Sequence, residues 1–197
     1  NMSVSTEVGE CSTVVNSNAS ASDNCAGTLI SYSPASGTSF NVGTTTVTAT
    51  ATDAAGNESE CTFTLTVSDD EDPVITCPSN LSVSADVGEC NKAVSYSANA
   101  SDNCPGTTIS YSPASGSTFN VGTATVNVTA TDASSNESEC TFTVTVSDDE
   151  YPMVTCPSNI SASADVGECS NAVSFSASAS DNCEGVSSSY SPSSGGT

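Results

Sequence analysis

The sequence predicts an all-β chain: antiparallel β-sandwiches in tandem, stapled by disulfides, with about 79 residues per repeat. Three observations carry this. The cysteines recur at one interval, apolar residues alternate with Thr, and no useful length of chain carries a helical period. Cys11, Cys90 and Cys169 are spaced by 79, as are Cys25, Cys104 and Cys183; Cys61 and Cys140 keep the interval, and so do Cys77 and Cys156. The flanking text repeats as well. Ser31-Tyr32-Ser33-Pro34 returns at Ser110 to Pro113 and at Ser189 to Pro192, and Ala51 to Ala54 returns at Ala130 to Ala133. The expected repeats are 1–72, lacking its first strand; 73–151, complete; and 152–197, truncated. Asn1 aligns with Asn80 and Thr197 with Thr118. No signal peptide is visible, which is expected of an internal stretch.

The strands follow in order. In Cys140 to Val146 the even positions are apolar and the odd ones Thr, a strict period of two. Val126, Val128 and Ala130 alternate with Thr125, Asn127, Thr129 and Thr131 in the same way. Shorter strands are expected at Val74–Cys77, Leu81–Val83, Ala93–Ser97 and Thr108–Tyr111. Val87-Gly88, Pro105-Gly106, Pro113 to Gly116 and Val121-Gly122 punctuate them as turns. Such alternation turns one face toward a core and a face of hydroxyls toward water.

Composition narrows the function. The chain holds 23 Asp plus Glu, no His and a single cationic side chain, Lys92, for a net charge of −22. Nucleic acid and anionic lipid are excluded as partners because both need a basic patch. No window is apolar enough to insert into a membrane. Ser-His and Cys-His nucleophiles and His-based zinc sites cannot be built. Val, Ile, Leu and Phe make up only 32 of 197 residues, a share that with this charge is typical of disorder. Ten cysteines argue the other way, because covalent staples let a poor core fold and point to an oxidising, extracellular compartment.

The residues resemble the hyalin repeat, or HYR, family of extracellular modules. The matching text is Asp72-Pro-Val-Ile-Thr-Cys-Pro-Ser-Asn80, Val87-Gly88, Ala100-Ser-Asp-Asn-Cys104, Gly43 to Asn57, and Cys61-Thr-Phe-Thr-Leu-Thr-Val67. The likeness runs the length of the chain, in phase with all three repeats. Val42 and Val121 stand where the family often carries Pro, and Ser135 replaces the Gly56 of the first repeat. The resemblance implies an immunoglobulin-like sandwich used for adhesion or spacing, with no catalytic activity.

Four cysteines per repeat allow three pairings within it. Cys77 shares a strand face with Ile75, and Cys140 shares one with Phe142 and Val144. This favours Cys77–Cys140, with short loops closed by Cys11–Cys25, Cys90–Cys104 and Cys169–Cys183, and with Cys61 and Cys156 left to partners elsewhere. The resemblance implies the same pairing. A rival frame, Cys61–Cys77 and Cys140–Cys156, needs each linker to form a hairpin against Pro73 and Pro152. No Cys-x-x-Cys pair suggests metal or redox chemistry.

Acidic runs mark the junctions: Asp69, Asp70, Glu71 and Asp72, then Asp148, Asp149 and Glu150. Consecutive carboxylates repel unless a cation neutralises them, and calcium is the expected ion because it accepts six to eight oxygens in flexible geometry. The turns Asp53 to Glu58 and Asp132 to Glu137 could add ligands; the competing reading is a solvated acidic linker. Glycan acceptor sequences lie at Asn1, Asn18, Asn57, Asn80, Asn99, Asn127, Asn136 and Asn159, with Asn127 on the outward phase of its strand. Outward Thr44, Thr46, Thr48, Thr50 and Thr52 could carry sugars, and they also read as ordinary polar-out alternation. In Asp102-Asn103-Cys104, repeated from Asp23 and Asp181, a side chain is expected to fasten a turn beside a disulfide. Tyr32, Tyr111 and Tyr190 are expected at the core or its rim.

The expected function is a non-catalytic, secreted or cell-surface structural and adhesive array, a glycosylated, calcium-bound spacer or fibre-former, self-associating or contacting other extracellular proteins and glycans. The alternative is a ligand- or carbohydrate-binding accessory module of a larger secreted or cell-surface protein.

Overall fold

The computed structural model describes residues 1–195; Gly196 and Thr197, which end the third expected repeat, lie outside the described residues. Sixteen strands and no helix are found among the described residues. The first repeat holds β1 (Met2–Ser5), β2 (Ser12–Val15), β3 (Leu29–Ser33), β4 (Thr38–Asn41), β5 (Gly43–Thr52) and β6 (Glu58–Ser68). The second holds β7 (Val74–Thr76), β8 (Leu81–Ser84), β9 (Asn91–Ala93), β10 (Asn99–Ser101), β11 (Thr108–Ser112), β12 (Thr118–Asn120), β13 (Gly122–Thr131) and β14 (Glu137–Ser147). β15 (Met153–Thr155) and β16 (Ser178–Ser180) belong to the third.

Each of the first two repeats is an immunoglobulin-like β-sandwich built on one four-stranded sheet. The orders are β1-β6-β5-β3 and β11-β13-β14-β8, with β2-β4 and β9-β12 as the facing pairs. β7 pairs with β10, and β15 with β16. The pairing is antiparallel except at one position per repeat. β1 runs parallel to β6, setting Met2 opposite Leu65, and β8 runs parallel to β14, setting Leu81 opposite Val144. A parallel neighbour requires a long crossover, here the rest of the repeat.

The chain packs as two compact units. One comprises 1–78, 97–112 and 127–141; the other comprises 79–96, 113–126 and the described chain from Phe142 onward. In the first unit Val15, Phe40, Val47, Leu65 and Val67 form a buried cluster, and Met2, Val4, Tyr32 and Phe63 pack against it. In the second, Val94, Phe119, Val126, Phe142, Val144 and Val146 are buried, with the Tyr96 ring edge-on to Phe142 at 5.0 Å. Burying such a side chain fully is worth about 1.5–3 kcal/mol, so these short lists describe small cores.

β13 and β14 show why the alternation is readable. Val126, Val128 and Ala130 are buried, as are Phe142, Val144 and Val146, while Thr125, Asn127 and Thr141 face out. On the outer face Thr pairs with Thr or Glu across strands: Thr44 with Thr66 at 3.2 Å, Thr123 with Thr145 at 3.0 Å, Thr50 with Glu60 at 3.2 Å. The strand expected at 93–97 is different. The regular strand ends at Ala93; backbone bonds persist at Val94, to Ser117 and Gly116, and at Tyr96 the Ser115 hydroxyl takes the ladder's place, accepting from its N–H and donating to its carbonyl. β10 and β12 went unexpected; at three residues each they are too short to show a period.

Candidate functional site

The four junction carboxylates of the first unit have four fates. Asp70 accepts from the Ser5 hydroxyl at the end of β1, and Glu71 accepts from the Gly9 amide at 2.7 Å. Gly9 sits at φ 78°, a left-handed conformation that suits a residue without Cβ and aims its N–H at the carboxylate. Asp72 is exposed. Asp69 turns inward and is only 4 % exposed. The second junction repeats the first two assignments: Asp149 accepts from Ser84, and Glu150 from the Gly88 amide at 2.9 Å. Asp148 is half-buried.

Asp69 is met by two turns. In one, the Asp102 carboxylate accepts from the Cys104 amide at 3.0 Å, an Asx turn, as Asp23 does from Cys25 at 3.1 Å. The turn projects Asn103, whose amide nitrogen donates to the Glu10 carbonyl at 3.0 Å and to Asp69 Oδ1 at 3.1 Å. In the other, Asp132 is 6 % exposed and both its oxygens accept from Asn136: Oδ1 from the backbone at 2.7 Å, Oδ2 from the side chain at 2.8 Å. The Asn136 side chain also donates to the Asp69 carbonyl at 3.1 Å. The corresponding turn of the first repeat is built alike. Asp53 accepts from the Ala55 and Asn57 amides and the Asn57 side chain, each at 2.8 Å. The Asn57 side-chain bond, with help from the Asn57 backbone, holds the Asp53 carboxyl below its ordinary range.

This clamp decides the disulfides. By holding the Glu10 carbonyl, Asn103 brings Cys11 to Cys104, and the two are bonded with Cα atoms 4.8 Å apart and 93 residues between them. In the second unit Asn182 donates to the Glu89 carbonyl at 2.8 Å and to Asp148 Oδ1 at 3.2 Å, and Cys90 is bonded to Cys183, again 93 residues on. The short loops Cys11–Cys25, Cys90–Cys104 and Cys169–Cys183 are therefore a correction: none forms, and each of these bonds reaches into the next repeat instead. The preference for a short loop overlooked a clamp that acts between repeats. Cys77 is bonded to Cys140, and Cys25, Cys61, Cys156 and Cys169 are free and exposed. A carboxylate oxygen of Asp69, one of Asp102 and the Cys104 sulfur lie within 4.8 Å of one another. The sulfur is spent in its disulfide, so only oxygen donors remain.

Of the acceptor asparagines, Asn18, Asn99, Asn127 and Asn159 are exposed and Asn136 is committed to the clamp. Asn1 and Asn80 accept from the Thr64 and Thr143 amides, and Asn57 fastens its own turn. Tyr32, Tyr111 and Tyr190 each accept from the backbone amide thirteen residues earlier, at Ala19, Ala98 and Ala177. Tyr32 and Tyr111 are half-buried, as a rim position requires, whereas Tyr190 is exposed. No helix among the described residues is long and apolar enough to cross a membrane.

The HYR domain matches the chain twice, at residues 1–67 and 68–146. Hyalin from Strongylocentrotus purpuratus is 32 % identical over 169 residues, which is 81 % of this chain and 14 % of hyalin. Among solved structures, protocadherin gamma B7 extracellular cadherin domains 1–4 align at TM-score 0.39 and 16 % identity, covering 93 % of this chain and 58 % of that one. A cis-dimer structure of protocadherin gamma B7, domains EC3–6, aligns at TM-score 0.37 and 18 % identity, covering 78 % and 48 %. With two matched modules spanning most of its length, the chain belongs to the HYR domain family.

Proposed function

We propose that the chain is a stretch of an extracellular, non-catalytic structural and adhesive array, with repeat boundaries near 72/73 and 151/152. The observation that carries the reading is the pair of disulfides, Cys11–Cys104 and Cys90–Cys183, each joining one repeat to the next. An array whose neighbours are covalently tied behaves as a thread and resists unravelling. In a longer array of the same period, Cys25 and Cys169 are consumed by the same kind of bond, and Cys61 and Cys156 by the Cys77–Cys140 kind. The hyalin relative supports the adhesive side, and the chain spans only 14 % of that protein. Self-association into linear arrays or fibres, with N-linked glycans at exposed Asn18, Asn99, Asn127 and Asn159, completes the proposal. Electron microscopy and sedimentation of the protein from its source test it. End-to-end filaments are expected; dispersed monomers that bind a polysaccharide favour an accessory binding module.

A further inference from the structure

We propose that Asp69, Asp102 and Asn103 form a divalent-cation site of the calcium type. The inference starts from an unsatisfied charge. Asp69 is 4 % exposed, yet its Oδ2 has no hydrogen-bond partner among the described residues. A buried carboxylate oxygen without a partner is among the costliest arrangements in a protein interior. A carboxylate oxygen of Asp102 within 4.8 Å adds a second negative charge, and two such charges at that distance repel unless something positive lies beside them. The chain has no cation to spare: Lys92 is its only Lys or Arg, His is absent, and Lys92 is paired with Asp86.

Asn103 supplies a third donor. Its NH2 group faces two acceptors, the Glu10 carbonyl and Asp69 Oδ1. The amide orientation is thereby dictated, because turning it over would set its oxygen against both. Its own Oδ1 is buried and has no partner. The orphan recurs. Asn182 makes the same two bonds, to Glu89 and Asp148, and its Oδ1 is likewise buried without a partner. Two unsatisfied amide oxygens 79 residues apart are a repeated element.

The donor set selects the ion. With the Cys104 sulfur in a disulfide, the ligands are carboxylate and amide oxygens, which suit hard cations and not zinc or copper. Protein oxygens from a buried pocket, completed by water in irregular geometry, suit calcium better than magnesium, which demands a near-ideal octahedron. The site is not the acidic run as such. Asp70, Glu71, Asp149 and Glu150 already hold Ser5, Gly9, Ser84 and Gly88. Asp69 alone of its run turns to the Asn103-Cys104 turn, so a cation there would lock the Cys11–Cys104 disulfide in place. The site does not rest on the adhesive reading, and either can fail alone.

The test is calorimetric titration of the EDTA-stripped chain with calcium chloride alone. One saturable site per chain is expected. Asp69→Asn and Asp102→Asn should each weaken it by roughly 10- to 100-fold, while exposed Asp72→Asn leaves it intact. Amide NMR on the unaltered chain covers the case in which a variant misfolds: calcium should shift Asp102 to Cys104. Absence of saturable binding overturns the proposal. Binding unchanged by both substitutions, or shifts confined to other residues, does the same.

Discussion

Asn103 and Asp69 are hydrogen-bonded at 3.1 Å across 34 residues of sequence, and the same Asn103 nitrogen reaches the Glu10 carbonyl. One amide thus gathers the end of a strand, an acidic junction and a turn from the next repeat around Cys11–Cys104. Replacing Asn103 with Ala removes both bonds and leaves more of Asp69 unsatisfied, so it should cost about 1–3 kcal/mol. Urea unfolding of the oxidised protein measures this.

Removing the staple is a larger change. Cys11→Ser with Cys104→Ser opens a loop with a 93-residue separation, and loss of such a disulfide from a domain with a small core is expected to cost roughly 2–5 kcal/mol. The double variant should melt earlier than the parent without reductant, and the difference should vanish once reductant opens every disulfide.

The turn at Ser135 is a place to gain stability. Ser135 holds φ 76°, while its counterpart in the first repeat is Gly56 at φ 88°. A side chain in the left-handed region costs roughly 1–2 kcal/mol. Ser135→Gly should therefore raise the melting temperature, and Gly56→Ala should lower it.

Core truncation follows volume. Leu65 is fully buried beside Val47 and Val67, and Leu65→Ala should cost about 2–5 kcal/mol through lost burial and a residual cavity. Differential scanning calorimetry reads it directly.

The Asp53 turn predicts a pH dependence. Bonds from Asn57 lower the folded-state pKa of Asp53 below its ordinary 3.8. The turn's contribution is thus present in full above pH 3.8 and is lost as pH falls through the depressed folded value. The Ala55 and Asn57 amide resonances should hold their positions to below that pH and then move together. Asp53→Asn should abolish the step.

How much of this was legible depends on whether a feature is local. β13 and β14 were readable because every second side chain, from Val126 to Ala130 and from Phe142 to Val146, faces a core, and that period is written along each strand. Cys77–Cys140 followed from the same faces. The other disulfides did not, since Cys11 meets Cys104 through Asn103 and Glu10, residues far apart in sequence and unremarkable singly. The junctions were plainly acidic, but nothing in Asp69 to Asp72 distinguishes the buried carboxylate from its exposed neighbours. That choice is made by the Asn136 and Asn103 turns that close over Asp69.

The central claim is that successive repeats are covalently joined. Its most direct measurement is a disulfide map: thiol-blocked, unreduced protein digested with an Asp- and Glu-directed protease and read by mass spectrometry, since Lys92 alone offers trypsin a cut. Linked peptides carrying Cys11 with Cys104, Cys90 with Cys183, and Cys77 with Cys140 are expected. Peptides joining Cys11 to Cys25 and Cys90 to Cys104 would contradict the claim.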